Sequence, residues 1–124
     1  MFARSMAVLA AAAGLATAAV VAAPAAQAAP SGCSSGALCA YLSESYTGGT
    51  PQRVWENNKD LTQYVYFYYM QGGSLYNNGT QCDVWVYTGK NYSGSHYELN
   101  RGTGWASIGS NLPHVSSNHW CQPA

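Results

Sequence analysis

Tyr41-Leu42-Ser43-Glu44-Ser45-Tyr46-Thr47-Gly48 returns 46 residues later (87 − 41) as Tyr87-Thr88-Gly89-Lys90-Asn91-Tyr92-Ser93-Gly94, with both tyrosines and the closing glycine in the same places. Each copy leaves a strand-like apolar run, Ala37 to Leu42 in one and Val84 to Tyr87 in the other, and enters a tight bend. Glycine serves where the backbone must take a positive φ, and a tyrosine ring beside it covers the bend. With 10 Tyr and 13 Gly in 124 residues, chance pairs of these residues are common. Three positions matched at one spacing, each after a strand-like run, are instead read as an internal repeat, two similar units stacked on one core.

Outward from the two copies, helical periodicity is absent. Strand-like stretches are Ala37–Leu42, Gln52–Trp55, Tyr64–Tyr69, Val84–Tyr87, Ser95–Leu99 and Val115–Cys121, separated by Gly, Asn, Ser and Pro clusters. That spacing predicts an all-β domain, two Greek-key motifs closing into one sandwich. In Tyr64–Tyr69 a period of two puts Val65, Phe67 and Tyr69 on a core face and leaves Tyr64, Tyr66 and Tyr68 as a row on the other. Val115-Ser116-Ser117 near the end of the second unit is matched to Leu61-Thr62-Gln63 in the first, where short hydroxyl residues suit a turn that leads into a strand.

Residues 1–28 read as a secretory signal peptide. Arg4 is its lone charge, an alanine- and valine-rich run extends from Met6 to Ala23, and Ala26-Gln27-Ala28 offers small residues for cleavage before Ala29. A membrane anchor is the alternative for such a run, but alanine is weakly lipophilic and the cleavage signature follows directly. Residues 29–124 then form one small domain, expected to be extracellular, free of the membrane after cleavage, and monomeric. Its charges are Arg53, Lys59, Lys90 and Arg101 against Glu44, Glu56, Asp60, Asp83 and Glu98, four cations to five anions. A net of −1 with no run of like charge is no footprint for nucleic acid or an anionic surface.

All four cysteines, Cys33, Cys39, Cys82 and Cys121, lie in the exported part, and an even number there reads as two disulfides. Four cysteines allow three pairings and the sequence does not choose among them. Cys33–Cys39 with Cys82–Cys121 is the expectation, because the first two flank a short Ser/Gly turn. On loop entropy the long bridge would contribute roughly 4 kcal/mol and the short one about 2.4 kcal/mol. Zinc is disfavoured, since no CxxC pair occurs and His96, His114 and His119 lack ligand spacing. No HExxH, G-x-S-x-G or P-loop pattern is present, so an enzyme is not expected, nor a cofactor.

The aromatic-x4-aromatic-x-Gly pattern followed by aliphatic-Ser-Ser resembles the βγ-crystallin Greek-key motif. Together with the leader, Cys33-x5-Cys39-Ala40-Tyr41, Val54-Trp55 with Asn57-Asn58, and the closing Val115-Ser116-Ser117-Asn118-His119-Trp120-Cys121, the chain is similar to the secreted crystallin-like metalloproteinase inhibitors of streptomycetes. The resemblance implies a proteinaceous inhibitor of an extracellular zinc metalloprotease that binds through a substrate-like loop. The matching segment is Thr80, Gln81, Cys82, Asp83 and Val84, in the polar connector Tyr76–Asp83, with Cys82–Asp83 as the reactive bond. Asp83 departs from the aliphatic residue that a thermolysin-like enzyme prefers there. The alternative is a non-inhibitory extracellular binding module, calcium-binding or related to crystallin-like killer toxins. Calcium needs several oxygen ligands. The corresponding positions of the second unit, Leu112 and Pro113, supply no side-chain oxygen, whereas Asn57, Asn58 and Asp60, with Glu44, could form one degenerate site in the first.

Overall fold

The computed structural model describes residues 28–124. The signal-peptide reading falls, apart from Ala28, outside the described residues. Among these residues no helix is long and apolar enough to cross a membrane.

Among the described residues seven strands form two antiparallel sheets. They are β1 (Leu38–Tyr41), β2 (Gln52–Val54), β3 (Ser74–Asn77), β4 (Val84–Gly89), β5 (Ser93–Leu99), β6 (Gly104–Trp105) and β7 (Ser117–Trp120). One sheet runs β2-β1-β3-β6 and the other β5-β4-β7. The short strand β6 comes from the second half of the chain yet pairs with β3 of the first, Leu75 opposite Trp105 and Tyr76 opposite Gly104. The first half returns the exchange through a single antiparallel bridge between Asn58 and Asn118 beside β7. This is the all-β, two-Greek-key sandwich that the repeat predicts. The period of two explains its core: Leu38 and Ala40 from β1 and Val84 and Val86 from β4 meet between the sheets with Leu75, Leu99 and Val115, all essentially buried.

The two copies of the opening pattern make the same bend. Ser45 and Tyr46 have φ of 57° and 60°, and Asn91 and Tyr92 have φ of 59° and 60°. Gly48 and Gly94 follow at φ 97° and 78°. A Cβ at Gly48 would lie 2.9 Å from Ser43 Oγ, and one at Gly94 would collide with Thr88 Oγ1, so the glycines are needed for room as well as for conformation. Successive left-handed non-glycine residues are unusual and persist only when their surroundings hold them. A buried serine does so in each unit. Tyr46 N donates to Ser74 Oγ (2.9 Å), which donates to Ser43 O (2.7 Å). Tyr92 N donates to Ser117 Oγ (3.0 Å), which donates to Gly89 O (2.7 Å).

That geometry corrects the sequence match for Ser117. Its partner in the first unit is Ser74, 43 residues earlier (117 − 74), and not a residue of Leu61-Thr62-Gln63. Thr62 instead closes a local turn, its N and Oγ1 both donating to Asp60 Oδ1. The aromatic partners follow the corrected offset. Tyr41, Tyr46 and Tyr76 stack edge to face with centroids 5.6 Å apart, and Tyr87, Tyr92 and His119 repeat the arrangement at 5.6 and 5.2 Å. The first trio is roofed by the N-terminal arm, where Tyr41 OH donates to Ser31 O and Cys33 is bonded to Cys39. Burial raises the phenol pKa of Tyr41 and Tyr46, with further help from the neighbouring phenols.

Tyr64–Tyr69 is not a strand. Val65–Tyr68 forms one turn of helix, α1, with Tyr68 N donating to Tyr64 O and Tyr69 N to Val65 O, both at 2.9 Å. Of the expected core face only Phe67 is buried, while Val65 and Tyr69 are 48% and 65% exposed. The β-branched and aromatic composition carries strand propensity, but tertiary context decides. This segment joins β2 to β3, two strands of one sheet, and its backbone is claimed by the stretch before β7, Val115 N donating to Phe67 O and Met70 N to Pro113 O. The missed strand β3 is entirely buried although it begins with Ser74 and ends with Asn77.

Candidate functional site

The segment Thr80–Val84 leaves the end of β3 and enters β4. Its polar connector begins at Asn78, because Tyr76 and Asn77 belong to β3 and are buried. Thr80 and Gln81 are exposed, Cys82 and Asp83 half-buried, and Val84 buried in the core. The chain arrives at Thr80 along a fixed path. Asn78 exchanges backbone hydrogen bonds with the N-terminal arm, its N donating to Ala37 O (2.9 Å) and its O accepting from Gly36 N (2.8 Å). Asn78 Nδ2 donates to Cys33 O.

Asn77, fully buried, fills the inside of the bend. Its Oδ1 accepts from Gly79 N at 2.7 Å, and its Nδ2 donates to Leu99 O at 2.9 Å. Gly79 has no space for a side chain: a Cβ there would lie 2.7 Å from Asn77 Oδ1 and 2.8 Å from the Trp120 ring. Cys82 O also turns toward Asn77, and its contact with Nδ2 is long, 3.5 Å. The carbonyls of Thr80 and Asp83 are held more firmly. Arg101 Nη1 donates to Thr80 O (2.9 Å), and Cys121 N donates to Asp83 O (2.9 Å). Cys82 is bonded to Cys121. Thr80, Gln81 and Cys82 border a groove of about 360 Å³ shared with Trp55, Glu56 and Trp120.

The side chain of Asp83 is engaged within the protein. Its Oδ1 accepts from Arg101 N at 2.7 Å. Glu98, opposite Trp85 on β5, lies beside it. A hydrogen bond with Asp83 is the main cause that holds the Glu98 carboxyl above its ordinary range, with desolvation and the neighbouring negative charge adding to it. A neighbouring acid disfavours ionisation, which is the direction found at Glu98. Cys121 is bonded to Cys82 as expected from sequence, whereas Asn77 and Arg101, which also hold this segment, were not singled out as its supports. A bare Asn-Asn-Gly and a lone Arg carry no signal for such a role until the topology brings them together.

The residues considered for calcium are engaged elsewhere. Asn57 Oδ1 accepts from Trp120 N (2.7 Å), Asn58 Nδ2 donates to Glu56 O and to Asn118 Oδ1, and Glu44 Oε2 accepts from Ser107 Oγ. Asp60 turns back on Thr62, which lowers its carboxyl pKa. Among the described residues no three or more His, Cys, Asp and Glu side chains come together as a metal site. The tyrosine row is dissolved by the helix: Tyr64 packs edge to face on Phe67, and Tyr68 stacks on His114 at 4.4 Å.

Several solved structures share this architecture. One is a chain from work on the evolution of the eye lens beta-gamma-crystallin domain fold, 16% identical with a TM-score of 0.61, covering 76% of this chain and 94% of that one. IPSE/alpha-1 from Schistosoma mansoni eggs is 21% identical with a TM-score of 0.53, over 71% of this chain and 87% of that one. A beta-gamma-crystallin from Ciona intestinalis is 18% identical with a TM-score of 0.51, over 68% of this chain and 99% of that one. At these identities the likeness is one of fold, and it establishes the βγ-crystallin-type sandwich. No curated protein sequence matches the chain. The profile of one family matches residues 26–99, more than half of the chain and the whole of Thr80–Val84. The chain therefore belongs to peptidase inhibitor family I36, a family of inhibitors and not of enzymes.

Proposed function

We propose that residues 29–124 act, after export and removal of the leader, as a monomeric extracellular inhibitor of a zinc metallopeptidase, with Thr80–Val84 as the segment that enters the enzyme's cleft. Family membership supports peptidase inhibition in general. The zinc enzyme and the loop are our own reading. The observation that carries it is the bracing of this partly exposed segment by a disulfide, a buried amide and a guanidinium. A segment already fixed in shape loses little ordering entropy on binding, so more of its contact energy appears as affinity.

The zinc belongs to the target. It would polarise the Cys82 carbonyl as a Lewis acid, and that carbonyl makes a long contact of 3.5 Å with Asn77 Nδ2. Asp83 bears on the choice of enzyme. An ionised carboxylate is costly to bury in an apolar pocket, and here it also caps Arg101 N. Asp83→Val would remove both the charge and the cap, whereas Asp83→Asn removes the charge and keeps an acceptor. The Asn variant is therefore expected to inhibit a thermolysin-like enzyme more tightly than the parent. The test is titration of the exported domain against a thermolysin-like and a serine peptidase. Inhibition of the zinc enzyme, tightened by Asp83→Asn and lost as the Cys82→Ser/Cys121→Ser protein is digested, supports the reading. Inhibition of neither enzyme overturns it and favours a non-inhibitory binding module on the same fold.

A further inference from the structure

The segment Asn100–Gly102 follows β5 and faces the loop across the end of the sandwich. It is itself anchored: Gly102 N donates to Asn77 O (2.8 Å), Asn77 N to Thr103 O (2.9 Å), and Thr103 Oγ1 to Asn100 O (2.7 Å). From this fixed base Arg101 reaches the loop twice. Its side chain holds Thr80 O, before the Cys82–Asp83 bond, and its backbone N holds the Asp83 carboxylate, after it. Cys121 spans the same bond. Its sulfur is joined to Cys82 and its N donates to Asp83 O, an arrangement reached with Cys121 at φ 73°. Two residues far apart in sequence thus each grip both sides of one peptide bond.

We propose that Arg101 is a positioning residue for inhibition, forming with Cys121 a double clamp that keeps a hydrolysed Cys82–Asp83 bond in register for resealing. The inference rests on the reading of Thr80–Val84 as the inhibitory segment. Hydrolysis adds one water across the amide and leaves a Cys82 carboxylate and an Asp83 ammonium group. Resealing joins that carboxyl carbon to that nitrogen and expels the water. The reverse step is favoured when the two new ends are held at high effective concentration. The disulfide alone tethers the Cys82 end at one atom. The Arg101 contact at Thr80 O fixes its direction, while the Cys121 N and Arg101 N bonds keep the Asp83 end from swinging away. A planar guanidinium is suited to hold a carbonyl in a set direction, and an ammonium retains the charge and reach with less directional control.

The experiment compares the parent domain with Arg101→Ala and Arg101→Lys against a thermolysin-like zinc peptidase. It reads the initial inhibition constant, the rate at which the loop is cut (by mass spectrometry), Tm, and amide exchange at Gln81 and Asp83 in the free protein. Arg101→Ala is expected to keep its Tm and, with the loop less ordered, to weaken initial inhibition by about threefold, while its loop is cut about tenfold faster and exchanges faster. Arg101→Lys should recover part of the resistance to cutting. A merely structural arginine would move Tm and both constants together. Arg101→Ala cut at the parental rate, or Arg101→Lys cut as fast as Arg101→Ala, overturns the clamp. If the parent inhibits no zinc peptidase or is cut outside Thr80–Val84, the underlying functional reading fails instead. In that case the exchange rates still decide whether Arg101 orders the loop: unchanged exchange in Arg101→Ala overturns that too.

Discussion

Ser74 and Ser117 hold the two left-handed bends, each joining a tyrosine N–H to a carbonyl of the preceding strand end. Removing either hydroxyl leaves a shielded donor and acceptor without partners, a loss worth about 1–3 kcal/mol. Ser74→Ala and Ser117→Ala should therefore each lower stability by that amount in urea denaturation, with a similar cost in both units. At the same scale Glu98 destabilises the native state when ionised, because its hydrogen bond with Asp83 favours the protonated form. A carboxyl whose folded pKa is raised binds its proton more tightly in the folded protein. Stability is thus gained as pH falls through the folded value toward the unfolded one. Glu98→Gln is expected to raise Tm at neutral pH relative to the parent, with the advantage shrinking as pH falls through the raised folded value and gone below the ordinary glutamate pKa. A constant difference across pH 3 to 8 would remove the carboxylate pair from the account.

At the scale of elements, the repeat was legible because glycine and tyrosine mark a backbone conformation, and backbone conformation is local. What escaped was set by tertiary partners. Ser74–Asn77 is not among the strand-like stretches of the sequence, and Tyr76 and Asn77 fall in the expected polar connector, yet it is a buried strand because its serine and asparagine find partners across the domain. Val65–Tyr68 reads as strand, yet it is helix with its backbone bonded to Pro113 and Val115, and Phe67 is its one fully buried side chain. Phe67→Ala should accordingly cost about 3–5 kcal/mol, while Val65→Ser and Tyr69→Ser should stay within about 0.5 kcal/mol of the parent. A strand in the register expected from sequence would make all three costly. The N-terminal arm offers a second check. Converting Cys33 and Cys39 together to serine should remove about 2 kcal/mol while leaving the Cys82–Cys121 bridge intact, and calorimetry of the double variant reads this directly. The loop residues Thr80–Val84 were visible as a family-like segment, but Asn77 and Arg101 beneath and beside it depend on contacts that no local pattern announces.

At the scale of the molecule, a pseudo-symmetric sandwich carries an asymmetric feature. Both units have the same bend and an equivalent aromatic trio, with His119 in the second where the first has Tyr76, but the connector between them is braced by an arm from the start of the domain and a cysteine from its end. A fold shared with crystallins supplies rigidity, and family I36 membership says to what general end that rigidity is put. The most direct test is to recover the domain from its complex with a thermolysin-like zinc peptidase and determine its mass before and after reduction. The account predicts stoichiometric inhibition and a slow single cut between Cys82 and Asp83, with the two pieces released only when the disulfide is reduced. An inhibitor recovered with cuts elsewhere, or inhibition unchanged by substitutions throughout Thr80–Val84, would contradict it.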